Sequence, residues 1–237
     1  MHTSVIIPTL NEAETLGGVL AALAACMQAA SADAIPRSMA AEILVVDCCS
    51  TDGTPAIAEA GGARLISEPR RGYGRACAAG VCAAQGEIVV FLDADGADDP
   101  RHLPELVALL ASGQAEMALG SRLAGQIEAG AMPWHQKAGN RLCARLIHRL
   151  YGLPITDLSP FRAVLRAELL KLDLQEMTYG WPTEMIVKAA RGGWRIREIP
   201  VDYHRRRGGQ SKISGTWRGS WLATYHILNT ILRYARI

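Results

Sequence analysis

No two of the six cysteines (Cys26, Cys48, Cys49, Cys77, Cys82 and Cys143) have the C-x-x-C spacing of a zinc or redox site. Several lie among alanines and other apolar residues, where a free thiol behaves as a small hydrophobe, so a reducing, cytoplasmic setting is expected. An excess of one charge is missing too. The 25 Lys and Arg against 23 Asp and Glu leave a formal +2, too little to argue for a nucleic-acid partner. The first residues lack the basic leader and apolar core of a signal peptide. No stretch reads as a membrane span: residues 15–32 are uncharged but rich in alanine with Gly, Gln and Ser, and residues 219–232 are short and include His226 and Asn229. No G-x-G-x-x-G follows the first apolar strand and no G-x-x-x-x-G-K-[ST] occurs, which disfavours dinucleotide-fold and P-loop readings. No long polar tract suggests disorder. The 49% hydrophobic content over 237 residues suits one large α/β domain, alone or with a C-terminal extension.

What is present centres on residues 87–100, EIVVFLDADGADDP. The unbroken apolar run from Ile88 to Leu92 reads as a strand buried on both faces. It ends in four carboxylates within seven residues, and Pro100 forbids its continuation. Carboxylates at the C-terminal end of a parallel strand stand where α/β sheets bind ligands. Their mutual repulsion is best offset by a hard divalent cation with oxygen ligands, and Asp93 and Asp95 can reach one ion from a single turn. Asp98 or Asp99, just before Pro100, would cap the next helix.

The first half of the chain alternates strand and helix every 20–25 residues or so, which predicts a parallel, doubly wound sheet. Residues 4–7 form a short strand stopped by Pro8, with Thr9 or Asn11 capping the helix that follows and Glu12 in its first turn. Residues 42–47 form a second strand ending in Asp47. Thr54 is expected as an N-cap with Pro55 at the first helical position. Residues 63–67 read as a third strand. A basic, glycine-rich loop at 70–75 leads to a helix over 76–84. The second half predicts a strand ending at Arg122 and an amphipathic helix over 137–151, with Arg145 and Arg149 on its solvated face. A loop at 156–161 enters a strand, and a helix opens near Thr183 and Glu184. Residues 194–203 read as an edge strand, which Pro200 suits. The basic loop at 205–212 reads as a lid. The final helical segment places Trp217, Trp221 and Tyr225 on one face. That face packs on the domain or lies on a membrane interface, with Arg218, Arg233 and Arg236 near anionic lipid.

The motifs VIIPTLNE (5–12), VVD with STDGT (45–54) and LDAD (92–95), in this order at successive strand ends, resemble those of the inverting family-2 glycosyltransferases. The resemblance implies the GT-A fold, a Rossmann-like, mostly parallel sheet flanked by helices, over residues 1–215, with a C-terminal amphipathic helix at 216–237. It implies a nucleotide-sugar donor whose base and ribose lie near Pro8, Thr9, Asn11, Glu12, Asp47, Asp52 and Arg71. Asp93, Ala94 and Asp95 would meet the diphosphate through Mg²⁺ or Mn²⁺, with Arg206 and Lys212 beside it. The cation would neutralise charge on the departing group.

The second half is similar to a narrower group, the dolichyl-phosphate mannose synthase-like polyprenyl-phosphate glycosyltransferases. The matching pieces are GSR (120–122), DLSPFR (157–162), VDYHRR (201–206) and GQSK (209–212). Arg122, Ser159, Phe161, Arg162 and Ser211 would then face a lipid-phosphate acceptor, since guanidinium groups fork onto phosphate oxygens. Two positions depart from that group: Gly96-Ala97 replaces Leu-Gln, and Ser159-Pro160-Phe161 replaces Ser-Gly-Phe. With UDP-glucose or GDP-mannose as donor, the expected reaction is hexose transfer to a polyprenyl phosphate, with peripheral contact at the inner face of the membrane. A phosphate monoester needs no general base. A hydroxyl acceptor would need one, and Asp157, Glu184 and His135 are the candidates. A non-catalytic nucleotide-sugar binding module remains the alternative outside enzymes.

Overall fold

The computed structural model describes residues 1–32, 41–208 and 217–235. The first half alternates as expected through β1 (Thr3–Thr9), α1 (Ala13–Ala32), β2 (Ala41–Asp47), α2 (Thr54–Ala60), β3 (Arg64–Ser67), α3 (Tyr73–Ala83) and β4 (Ile88–Phe91). The second half comprises α4 (Leu103–Ala111), β5 (Met117–Ser121), α5 (Trp134–Tyr151), β6 (Arg162–Leu165), α6 (Arg166–Lys171), α7 (Trp181–Arg191), β7 (Ile196–Pro200) and α8 (Trp217–Ala235).

The seven strands form one sheet in the order β3-β2-β1-β4-β6-β5-β7. Neighbouring pairs are parallel except that β6 runs antiparallel to both β4 and β5. The pairs among β1 to β4 are all parallel, as the first half of the chain predicts, and the sheet is mostly parallel as a whole. Although α5 lies between β5 and β6, the loop at 152–161 brings the chain into β6 antiparallel to both of its neighbours. β7 closes one edge, where Pro200 costs no ladder hydrogen bond.

Strand periodicity accounts for the two cores. In β1, Val5 and Ile7 join a layer with Leu16, Leu20 and Leu23 of α1 and Leu103 and Leu106 of α4. Ile6, pointing the other way, joins Val81, Ile147, Met185 and Ile231 from α3, α5, α7 and α8. Both faces of the central strands are covered, which is why they read as continuous apolar runs. Phe91 meets Trp181 of α7 edge to face at 5.0 Å between centroids. α8 packs on α5 and α7, and Tyr151 donates a 2.5 Å hydrogen bond to the Ile231 carbonyl.

Two local details differ from expectation. Gly53, not Thr54, is the N-cap of α2. Thr54 instead accepts the Glu12 N–H at 2.9 Å and donates to Asp52 at 2.5 Å. α3 begins at Tyr73, three residues early, because the glycines before and within its first turn admit a neighbouring segment. A Cβ on Gly72 (φ +147°) would stand 2.6 Å from the Met177 carbonyl oxygen, and that oxygen accepts the Arg75 N–H at 3.2 Å.

Candidate active site

The C-terminal ends of β1, β2 and β4 share one edge of the sheet, which brings Thr9, Asp47 and the Asp93 turn together. The loops after β1 and β2 are laced to each other. Asn11 donates its N–H to Ser50 and accepts that of Thr51, both at 2.8 Å. Asp52 accepts the Ala13 N–H at 3.2 Å, so the start of α1 is served from across the gap and not by Thr9 or Asn11. Asp47 accepts the Ser50 N–H at 3.0 Å and the Thr9 hydroxyl at 3.4 Å. Pro8 pairs with Val46 inside the sheet, while Arg71 is exposed.

The Asp93 turn is built with few degrees of freedom. The Leu92 N–H still bonds to Ile6 at 3.1 Å, so the β4 path carries the chain to Asp93. One oxygen of Asp93 accepts the Tyr73 hydroxyl at 3.2 Å. Burial, followed by the neighbouring charge of Asp95, pushes the Asp93 carboxyl up to about 7. Ala94 is buried, and Asp95 accepts the Ala97 N–H at 3.0 Å. Gly96 sits at φ +71°, a conformation L side chains rarely adopt. That accounts for a glycine here.

A second segment lies along this turn. His204 donates its N–H to Ala97 at 2.7 Å and Arg207 to Asp95 at 3.1 Å. Arg206 then reaches Asp95 at 3.1 Å and Glu12 at 2.5 Å, joining residues nearly 200 positions apart. Arg205 turns away, with its N–H on Glu128 and its guanidinium on the Ala129 carbonyl. Lys212 and Ser211, expected at the donor and acceptor, lie outside the described residues.

On the other flank Arg122, at the end of β5, grips Asp157 through two bonds of 2.7 and 2.9 Å and lies 5.1 Å from the Tyr203 ring centroid. Asp157 also accepts the N–H groups of Arg122 and Leu158. The other expected acceptor residues are buried. Phe161 belongs to the core. Ser159 accepts the Phe161 N–H at 3.2 Å. Arg162 spends its guanidinium on the carbonyls of Ser159, Pro160 and Pro182, and burial lowers it to about 10. These three brace the loop and are not presented at its surface. Glu184 is fully buried as well. Its carboxylate holds the N–H groups of Gln175 and Glu176, Lys188 at 2.9 Å and the Tyr234 hydroxyl at 2.5 Å, tying α7 to α8.

Two residues escaped sequence reasoning. Tyr73 carried no signal beyond an aromatic ring in a glycine-rich loop. Of the two expected caps, Asp98 and Asp99, it is Asp99 that fills the role by accepting the Arg101 N–H at 3.0 Å. Asp98 is buried with one oxygen unpartnered. Burial raises its pKa far above the ordinary range, against the pull of Arg122.

This mixed sheet with carboxylates at the β4 end has a GT-A-like fold. Glucosyl-3-phosphoglycerate synthase from Mycobacterium tuberculosis, solved with Mn²⁺, UDP and glucosyl-3-phosphoglycerate, shares the fold with a TM-score of 0.76 at 22% identity, over 100% of this chain and 80% of that one. The family model for glycosyl transferase family 2 matches residues 4–172, and the chain belongs to that family. An uncharacterized glycosyltransferase of Mycobacterium tuberculosis is 40% identical over 220 residues, 93% of each chain. A dolichyl-phosphate hexose transferase of Haloferax volcanii is 34% identical over 211 residues, 89% of this chain and 86% of that one.

Proposed function

We propose that this enzyme transfers a hexose, with inversion, from a nucleotide diphosphate sugar such as UDP-glucose or GDP-mannose to a polyprenyl phosphate. The observation that carries the reading is the pair of guanidinium groups, Arg206 and Arg122, flanking the Asp93–Asp95 turn, while the candidate bases are engaged elsewhere. Asp157 is clamped to Arg122, Glu184 is consumed by its tether, and His135 is exposed at the start of α5. The near full-length likeness to a dolichyl-phosphate hexose transferase supports the same acceptor class.

The donor set fits a hard cation. Two carboxylates stand one residue apart, and no cluster of three His, Cys, Asp or Glu suited to a metal occurs among the described residues. An ion held by Asp93 and Asp95 would complete its shell with phosphate oxygens and water, as Mg²⁺ commonly does. When bound, the cation supplies charge neutralisation for the departing nucleoside diphosphate. Arg206, now spent on Asp95 and Glu12, is placed to exchange a carboxylate for a phosphate oxygen. Asp47, Asp52 and Asn11 shape the base and ribose end through the laced loops. Arg122 meets the acceptor phosphate. A phosphate oxygen of the acceptor forms the new bond to the sugar C1 as the C1–O bond to the diphosphate breaks. The nucleophile is already ionised, so no proton is removed.

The test is transfer from a panel of UDP- and GDP-sugars with Mn²⁺, with and without a short polyprenyl phosphate. Product that requires the lipid phosphate and vanishes with EDTA is expected. Transfer to hydroxyl acceptors, or donor hydrolysis alone, would overturn the acceptor.

A narrower expectation concerns Tyr73, which holds one oxygen of Asp93 and leaves the other for the cation. Tyr73→Phe is expected to weaken Mn²⁺ binding in the presence of UDP by about tenfold with little change in melting temperature. Calorimetric titration with Mn²⁺ reads this directly, and an unchanged affinity would remove Tyr73 from the metal site.

A further inference from the structure

α5 contains no acidic residue, and its cations recur at every fourth position: Lys137, Arg141, Arg145 and Arg149. At 3.6 residues per turn these four, with Trp134 and Leu142, fall within about 140° of the helix circumference. Cys143 and Ile147, on the far side of the helix from that arc, are buried. The three arginines are exposed, and none of the four cations forms an ion pair with a described residue. Like charges four residues apart repel each other on a helix. Most other charged side chains of this domain are paired, so an unrelieved ladder stands out.

The apolar side chains point the same way. Seven large hydrophobic residues are exposed among those described, and five of them are on α5 or on α8 beside it: Trp134, Leu142, Leu150, Tyr225 and Leu232. Trp134 is 80% exposed at the first position of α5. No helix among the described residues is long and apolar enough to cross a membrane.

We infer that the exposed face of α5 is the surface by which this protein docks on an anionic lipid bilayer. Its arginines lie over the headgroups and Trp134 and Leu142 enter the interface. Basic side chains interleaved with tryptophan and leucine on one helical face suit a lipid surface, whereas a solvated face has no use for an exposed tryptophan. This extends the lipid-phosphate reading and rests on it for its purpose. It also moves the membrane contact from the α8 aromatic stripe to α5; the side chains of Trp217 and Trp221 lie outside the described residues.

The experiment is flotation of the full chain with vesicles of phosphatidylcholine, alone or containing phosphatidylglycerol. Binding is expected only with the anionic lipid and is expected to fall as salt rises. Each cation near such a surface contributes about fivefold, so the triple variant Arg141→Gln, Arg145→Gln, Arg149→Gln should bind on the order of a hundredfold more weakly. Trp134→Ser should lose binding at unchanged net charge. Wild-type protein that ignores anionic vesicles, or that binds them independently of salt, overturns the inference, as does a triple variant that binds as well as wild type. Preference for a DNA duplex over the vesicles at equal salt would also overturn it. Transfer to a short, water-soluble prenyl phosphate is scored alongside. Failure there overturns the acceptor reading, whereas a triple variant that keeps this transfer and loses vesicle binding supports the docking surface.

Discussion

Replacing Asp95 with asparagine is expected to lower turnover by roughly 10²–10³-fold or more while leaving the fold intact, and chelating the divalent cation should do the same to the wild type. The carboxylate is one of two that the β4 turn offers to a cation, and an amide oxygen lacks the charge that draws Mg²⁺ or Mn²⁺ from water. Stability should change little. The substitution loses the 3.1 Å pair with Arg206 but also relieves repulsion between Asp95 and Asp93. The amide oxygen can still accept the Ala97 N–H. Steady-state kinetics, Mn²⁺ titration and a melting curve on one preparation separate these effects. Full turnover of the variant in the presence of EDTA would refute metal-assisted departure of the diphosphate.

Asp157→Ala should act in the opposite way, on folding first. The Arg122–Asp157 pair is buried, with side chains 12% and 0% exposed, so solvent screens it little. Removing the carboxylate leaves a buried guanidinium without its counter-charge and strands the N–H groups of Arg122 and Leu158. Breaking a buried pair from one side costs about 3–5 kcal/mol, which for a chain of this size lowers Tm by roughly 10 °C. Asp157→Asn keeps part of the hydrogen bonding and separates structure from chemistry. If Asp157 only positions Arg122, the variant melts early and turns over the lipid phosphate without a base-dependent limb in its pH profile. A loss of about 10²–10⁴-fold in rate at unchanged Tm would make Asp157 a general base and shift the acceptor to a hydroxyl compound.

The legible part of the fold was the part with short-range causes. The runs 5–7, 43–46 and 88–92 are apolar at every position because helices cover both faces of their strands, and they fall in β1, β2 and β4. Pro200 marked an edge strand, and β7 is one. Less legible was β6. Its four residues carry no periodicity long enough to report direction, and its antiparallel setting depends on β4 and β5 at once. Arg162 shows the same limit at the site. An arginine in the loop expected to meet the acceptor looks like a ligand, yet the backbone carbonyls of Ser159, Pro160 and Pro182 receive it.

By itself the sequence determined the strand ends, the carboxylate turn at Asp93 and Asp95, and the cation ladder on α5, because each follows from periodicities of two or 3.6 residues and from local turn chemistry. Only the tertiary structure decided that Arg206 bridges Glu12 and Asp95, that Tyr73 holds Asp93, that Arg122 is locked to Asp157, and that Glu184 anchors α8. Those partners are 20 to 194 residues apart. Their pairing depends on charge and burial at a common sheet edge or helix interface, which exist only once the strands and helices have packed.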